Sequence, residues 1–481
     1  MKRIFLPALG LLATAFSASC LFASPSYQPS RTSRPWFEKG VVYQIQPRAF
    51  SPDGSLKGIE ERLPYVRGLG VTTVYLCPVW KMDEGMDKAF WSERQVKSGF
   101  ENPRNQYRIA DFFHVDSEYG TDEDLKSLVR TAHKVGLRVL FDLVYFHCGP
   151  NAPILKSHPD FVFQNPDGTP KLGPWRFPQF DFRVPALREF LMTNLIYLMA
   201  EFDCDGFRCD VGARIPTEFW CEARRRMDAF KPDSVLLCEG MDYANQTYAF
   251  DANYGRFPAG RLFADGGKGG SAKALVADWK TRAGKSSLGA RFVNHYENHD
   301  FATDFRPRRE VQWTHDGVDQ VLVWEFLLDG IPMLFNGNEF AEASDHSMFG
   351  RTPLDWAARD TPAGRARAEL VARLIKLRAE VPTLTALNGQ DGLAWLAVKH
   401  PAHVTAFVRR APGCPTVFVI QNWRPFPVQT RVNFKSEKDG APVVSGRISD
   451  VPMLAKNAKK TDELAFDLGP YGYFVGTVLQ Q

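Results

Sequence analysis

The feature that most limits how this chain can fold is a repeated alternation of short apolar runs with longer amphipathic ones. "VVYQIQ" (41–46), "VTTVYLCPV" (71–79), "LRVLFDLVYFH" (137–147), "DGFRCDVG" (205–212) and "SVLLCEG" (234–240) read as strands. Weaker strand signals fall at 248–251, 291–297 and 331–335. Between them lie helical stretches, such as 56–70, 185–202 and 216–230. The clearest is "TDEDLKSLVRTAHKVG" (121–136). There Thr121 can cap the helix, three acids suit its positive end, and Gly136 stops it. About eight strands separated by helices predict a (β/α)8 barrel over 36–381, closed by the helix "GRARAELVARLIKLRAEV". Beyond it, short β runs parted by Pro, Gly and Asn predict an antiparallel β-sandwich over 382–481. The α/β barrel carries a short insertion after its third strand, at about 148–184.

With 481 residues, 44% of them hydrophobic, the chain can bury a large core. A formal net charge of +4 and 24% charged residues give no footprint for a nucleic-acid partner. The N-terminus reads as an export signal over 1–24. Lys2 and Arg3 precede an apolar stretch, 4–16, too short to span a bilayer, and "SAS" (17–19) offers a cleavage site. Export to the periplasm or beyond is the expectation, with lipid attachment at Cys20 as the minority alternative. No later stretch reads as transmembrane. The remaining seven cysteines show no framework spacing, so buried free thiols are expected, with one bridge left open.

In such a barrel the active site lies at the C-terminal ends of the strands. Asp142 and His147, Arg208 and Asp210, Glu239, and the run Asn298, His299 and Asp300 all fall along or just past those ends. Residues i and i+2 of a strand share a face, so Arg208 and Asp210 should lie side by side. No nucleophile elbow and no phosphate loop is present, which argues against acyl and phosphoryl transfer. Carboxylates paired with an arginine suit glycoside hydrolysis. The Arg208 cation should pull the Asp210 carboxyl down and keep it ionised to attack the sugar. Glu239 is then the group that donates to the leaving oxygen.

These residues resemble the α-amylase family of glycoside hydrolases (family 13). The resemblance rests on "GVTTVYLCPV", "YRIADF", "YGTDEDLKSLVRTAHKVGLRVLFDLVYFH", "GFRCD", "CEG", "ENHD" and "GIPMLFNGNEF", which occur in that order. It implies Asp210 as nucleophile, Glu239 as acid/base and Asp300 as the carboxylate that holds sugar hydroxyls. It implies Arg208, His147, His299 and the stacking ring Tyr107 as substrate-binding residues. The implied reaction is retaining cleavage of α-glucosidic bonds in oligo- or polysaccharides, with catalytic carboxyls about 5–5.5 Å apart. The family's transglycosidases or isomerases, and a non-catalytic glycan-binding protein, are the alternatives. No cofactor is required. Phe146 stands where relatives often carry an Asn that binds structural calcium, which puts that calcium in doubt. "FPQFDFR" departs from the related motif at Gln179 while keeping Asp181, and Val211 resembles enzymes that favour α-1,6 bonds. Trp80, Trp91, Trp175 and Phe177 are candidates for sugar platforms or for plain loop packing.

Overall fold

A computed structural model describes residues 28–240, 244–256, 262–263, 270–304, 306–386, 392–434 and 443–479. The export-signal reading of 1–24, with Cys20, lies outside the described residues. Eight parallel strands close a barrel. In chain order they are β1 (Val42–Ile45), β2 (Thr73–Leu76), β5 (Arg138–Leu143), β6 (Gly206–Cys209), β7 (Val235–Cys238), β8 (Ala252–Arg256), β9 (Phe292–His295) and β10 (Ile331–Phe335). Between β2 and β5, β3 (Trp80–Met82) and β4 (Ile109–Val115) form a separate antiparallel pair that the sequence reading missed. Along "IADFFHV" only Ile109, Phe112 and Val115 are buried, so the run lacks the period-two signal of a strand.

Period-two alternation decides what enters the barrel. Val42, Tyr75, Leu140, Leu237, Val293 and Met333 pack together in its interior, while Tyr43, Phe141, Leu236 and Cys238 join the cluster under the helices. In β5 and β6 the register sets Asp142 beside Arg208 and Arg208 beside Leu237. Arg208 is therefore an interior residue at the upper end of its strand.

Three boundaries differ from expectation. The sixth barrel strand is Ala252–Arg256, not 248–251, because Asn245–Tyr248 forms a helical turn. Asp251 ends that connection, its carboxylate accepting from Leu236 N and Arg224. The third barrel strand stops at Leu143, and His147 leaves the barrel to bridge Gln179 in the insertion. The single helix expected over 56–70 splits into Leu56–Glu60 and Leu63–Gly68. Pro64 has no N–H to continue the first and suits the first turn of the second.

The C-terminal strands are β11 (Leu393–Trp395), β12 (Ala397–Val398), β13 (Val404–Arg409), β14 (Thr416–Asn422), β15 (Val428–Asn433), β16 (Arg447–Ile448), β17 (Leu454–Asp462) and β18 (Ala465–Leu479). All pairings are antiparallel. The long β18 pairs with β14 at one end and β15 at the other, wrapping the strands around their own core of Val404, Phe418, Ile420, Val432 and Phe466. Trp324 of the helix His315–Leu327 packs against Trp395, Phe407 and Trp423, which seats this sheet on the barrel. No disulfide joins any of the seven cysteines among the described residues. No helix among them is long and apolar enough to cross a membrane.

Gly206 opens β6 with φ +148, and a Cβ there would lie 2.1 Å from the Val235 carbonyl. Only glycine lets the two strands meet at that point. Gly206→Ala is expected to cost about 2–3 kcal/mol, read as a lowered thermal unfolding midpoint.

Candidate active site

At the C-terminal mouth of the barrel lies a cavity of about 400 Å³, lined by Tyr107, His147, Asp210, Glu239, His299 and Asp300. Six of the seven residues singled out from sequence thus meet around one space. The seventh, Arg208, lies beneath them with no exposed surface. Asp210, Glu239 and Asp300 show 11%, 24% and 35% of their side chains, so each is reachable yet largely shielded from water.

Arg208 organises the floor. Its Nη1 donates to Asp142 Oδ1 and Oδ2 at 2.8 and 2.9 Å and to Asp210 Oδ1 at 2.9 Å. Its Nη2 lies 2.9 Å from Glu239 Oε2, without the alignment of a hydrogen bond. Tyr75, Tyr107 and Tyr254 present their ring faces to the guanidinium at 5.5–6.0 Å. A buried cation is tolerable only when matched in this way.

The same crowd of acids corrects the expectation for Asp210. Burial pushes its carboxyl well above the usual range. Arg208 pulls it down, but Glu239, Asp142 and Asp300 push it up again. The Arg208 contribution has the expected sign and does not win. Asp300 goes the other way, down to about 2. Its burial is outweighed by the neighbouring His299, Arg94 and Arg208.

Glu239 follows β7, and its Oε2 accepts the Val211 N–H at 2.8 Å. Val211 reaches it by adopting a left-handed backbone, φ +41, that a β-branched residue rarely takes. A relay of hydrogen bonds orients the rest. Gln44 Nε2 donates to His299 Nδ1 at 2.7 Å, which leaves His299 Nε2 to donate to the Tyr107 hydroxyl at 2.7 Å. Tyr107 in turn donates to Asp142 Oδ2 at 3.1 Å. The Tyr107 and His299 rings stack 5.4 Å apart. His147 Nε2 donates to the Tyr107 carbonyl at 2.8 Å, and its Nδ1 has no partner among the described residues.

Of the four candidate platforms, Trp175 and Phe177 line the cavity. Trp80 and Trp91 are packing residues, almost fully buried with their indole N–H groups on the carbonyls of Asp142 and Gly85. The insertion is tied to the floor where Arg214 lies 5.6 Å over the Trp175 ring. Asp181 is engaged by Arg183 rather than by the cavity. Phe146 packs edge-on against Trp175, and among the described residues no group of three His, Cys, Asp or Glu could hold a metal. Phe146, at the expected calcium position, offers a ring with no oxygen to a cation. Sequence reasoning missed Arg94, which reaches Asp300 from another loop, and the role of Asp142 as the main partner of Arg208.

An eight-stranded parallel barrel with this set of acids at its mouth defines an α-amylase-type fold. Residues 29–162 match the alpha-amylase catalytic domain. That match covers the first part of the barrel, and the full-length likeness to α-amylases is one of fold. It is 27% identical over 433 residues to the alpha-amylase MalA of Haloarcula japonica, covering 85% of this chain and 59% of that protein. It is 30% identical over 236 residues to a cyclomaltodextrinase of Geobacillus thermopakistaniensis, covering 45% of this chain and 36% of that protein. The chain thus spans less than two thirds of either relative. In structure it resembles a noncanonic maltogenic alpha-amylase, AmyB, from Thermotoga neapolitana. The TM-score is 0.76 at 22% identity, covering 92% of this chain and all of that one.

Burial lowers His147 to about 4 and His299 to about 3, from 6.5. Both are held neutral in the fold and charge more readily when unfolded. Their stabilisation is complete above pH 6.5 and is lost as pH falls through that window. For His147 the loss between pH 7 and 4 is of order 3 kcal/mol. The unfolding midpoint is expected to drop on acidification, and His147→Gln to show a shallower slope over the same window.

Proposed function

We propose that this protein hydrolyses α-glucosidic bonds in α-glucans or α-glucosides with retention of configuration. The observation that carries the reading is the shared guanidinium: Arg208 holds Asp210 on one terminal nitrogen and Glu239 beside the other, at the floor of a sugar-sized cavity. Asp210 attacks the anomeric carbon while Glu239 protonates the leaving oxygen, giving a covalent glucosyl-enzyme. Water, activated by Glu239, then releases the sugar from Asp210. Asp300 accepts hydrogen bonds from hydroxyls of the reacting ring, and Tyr107 stacks beneath it. The named relatives, an alpha-amylase and a cyclomaltodextrinase, support an α-linked glucan as substrate.

Export is part of the same proposal, supported by the charged and apolar start of the chain. Fractionation of the producing cells tests this.

Proton NMR of the protein with maltooligosaccharides, isomaltose, trehalose and sucrose tests the reaction. The α-anomer of the product should appear first, and Asp210→Asn should lower turnover by about 10³-fold or more. New glycosidic signals would make the protein a transglycosidase. Near-normal turnover by Asp210→Asn would sink the assignment.

The upward displacement of Asp210 has a kinetic consequence. A nucleophile must be ionised, so activity is lost as pH falls through its titration. The acid limb of kcat/KM is expected above pH 4, the ordinary limit for a free aspartate.

A further inference from the structure

Between β3 and β4 the chain makes an excursion, 83–108, of which the proposed reaction uses only Tyr107. It is a built module. Arg108 Nη2 closes its base by donating to the carbonyls of Asp83, Gly85 and Pro103 at 2.8–2.9 Å. Ser92 caps the short helix Glu93–Lys97, and Gln95, fully buried, donates to the carbonyls of Asn102 and Pro103. Buried Trp91 anchors the approach to this helix.

The module presents Arg94 to the loop that follows β9. All three guanidinium nitrogens of Arg94 land on that loop. Nη1 donates to Asp300 Oδ1 at 2.8 Å and Nε to Asp304 Oδ2 at 3.0 Å. Nη2 donates to the carbonyls of His299 and Thr303 at 3.2 Å and to Thr303 Oγ1. Asp304 is itself fixed, accepting from Ser347 Oγ. Most of the guanidinium's donors are therefore committed to this loop, with one Nη1 hydrogen left over. The guanidinium can hold a carboxylate in one orientation. With Oδ1 taken, Asp300 is left with Oδ2, which lies 3.7 Å from His299 Nε2.

We propose that Arg94 is a positioning residue for the reaction. It acts through Asp300, fixing that carboxylate so that a single oxygen, Oδ2, receives the sugar's hydroxyl. The inference rests on the glycosidase reading above and adds a residue to it. Misplacing a group that binds the transition state by about 1 Å can cost 10²-fold in rate. The loss should fall on kcat, because Asp300 binds the distorted sugar more strongly than the ground state.

The test is steady-state kinetics on an aryl α-glucoside with Arg94→Met, Arg94→Lys, Asp300→Asn and the double variant Arg94→Met/Asp300→Asn, each checked for its unfolding midpoint. Arg94→Met is expected to lower kcat about 10- to 100-fold with KM changed less than about threefold. Arg94→Lys should recover part of that loss, since it restores the charge without the fork. In the double variant the Arg94 substitution should cost little beyond Asp300→Asn alone, because its effect runs through that carboxylate. Losses that multiply in the double variant, or an Arg94→Met kcat within twofold of wild type, would overturn the proposal and leave Arg94 as a loop staple. If Arg94→Met fails to fold, Arg94→Lys and its double with Asp300→Asn are read by the same criterion. The parent reading fails separately: the wild type would then cleave no α-glucoside, or Asp300→Asn would match it.

Discussion

One buried cation holds this site together. Arg208 sits inside the barrel, out of water, with the carboxylates of Asp142, Asp210 and Glu239 around it and three tyrosine rings facing it. Desolvating a guanidinium costs several kcal/mol, and only close, well-placed anions offset that. Each of those anions is in turn confined by the cation. The carboxylates would repel one another strongly in such a space without it. The barrel, the relay of tyrosine and histidine, and the strained turn at Val211 all converge on keeping this group satisfied.

The barrel makes that convergence possible. Adjacent parallel strands bring Asp142, Arg208 and the end of β7 into register, so side chains distant in sequence become neighbours at one rim. Interior positions lower in the barrel are apolar and packed, which gives the polar rim a rigid base. The loops then differentiate the acids. Asp210 sits above the floor among other carboxylates and is displaced upward, whereas Asp300, flanked by His299 and Arg94, is displaced downward. Two aspartates of the same site thus carry opposite tendencies, set by the sign of the charges beside them.

The loops also set the boundary of the cavity. Trp175 and Phe177 close it from the short insertion, and the excursion carrying Arg94 closes it near Asp300. Both are tied back by cations: Arg214 over the Trp175 ring, and Arg94 on the loop after β9. The wall is therefore assembled from segments that share the barrel's apolar core, through residues such as Phe161, Val162 and Phe180, and are pinned at their tips by cations.

The sequence by itself determined the barrel, because period-two and helical patterns are local and survive without knowledge of partners. It also determined which acids stand at strand ends, since the motif residues follow the apolar runs directly. Where it failed, the information was not local. The sixth strand slipped because an apolar stretch before Asp251 looks more strand-like than "ANYGR", which earns its place only by pairing with β7 and β9. The partnership of Arg94 with Asp300 spans 206 residues and depends on two loops meeting after the barrel has closed. The direction in which Asp210 titrates depends on summing several charges brought together by that closure. Neighbour-to-neighbour chemistry can be read from the chain; distances between strand ends exist only once the ring of strands is complete.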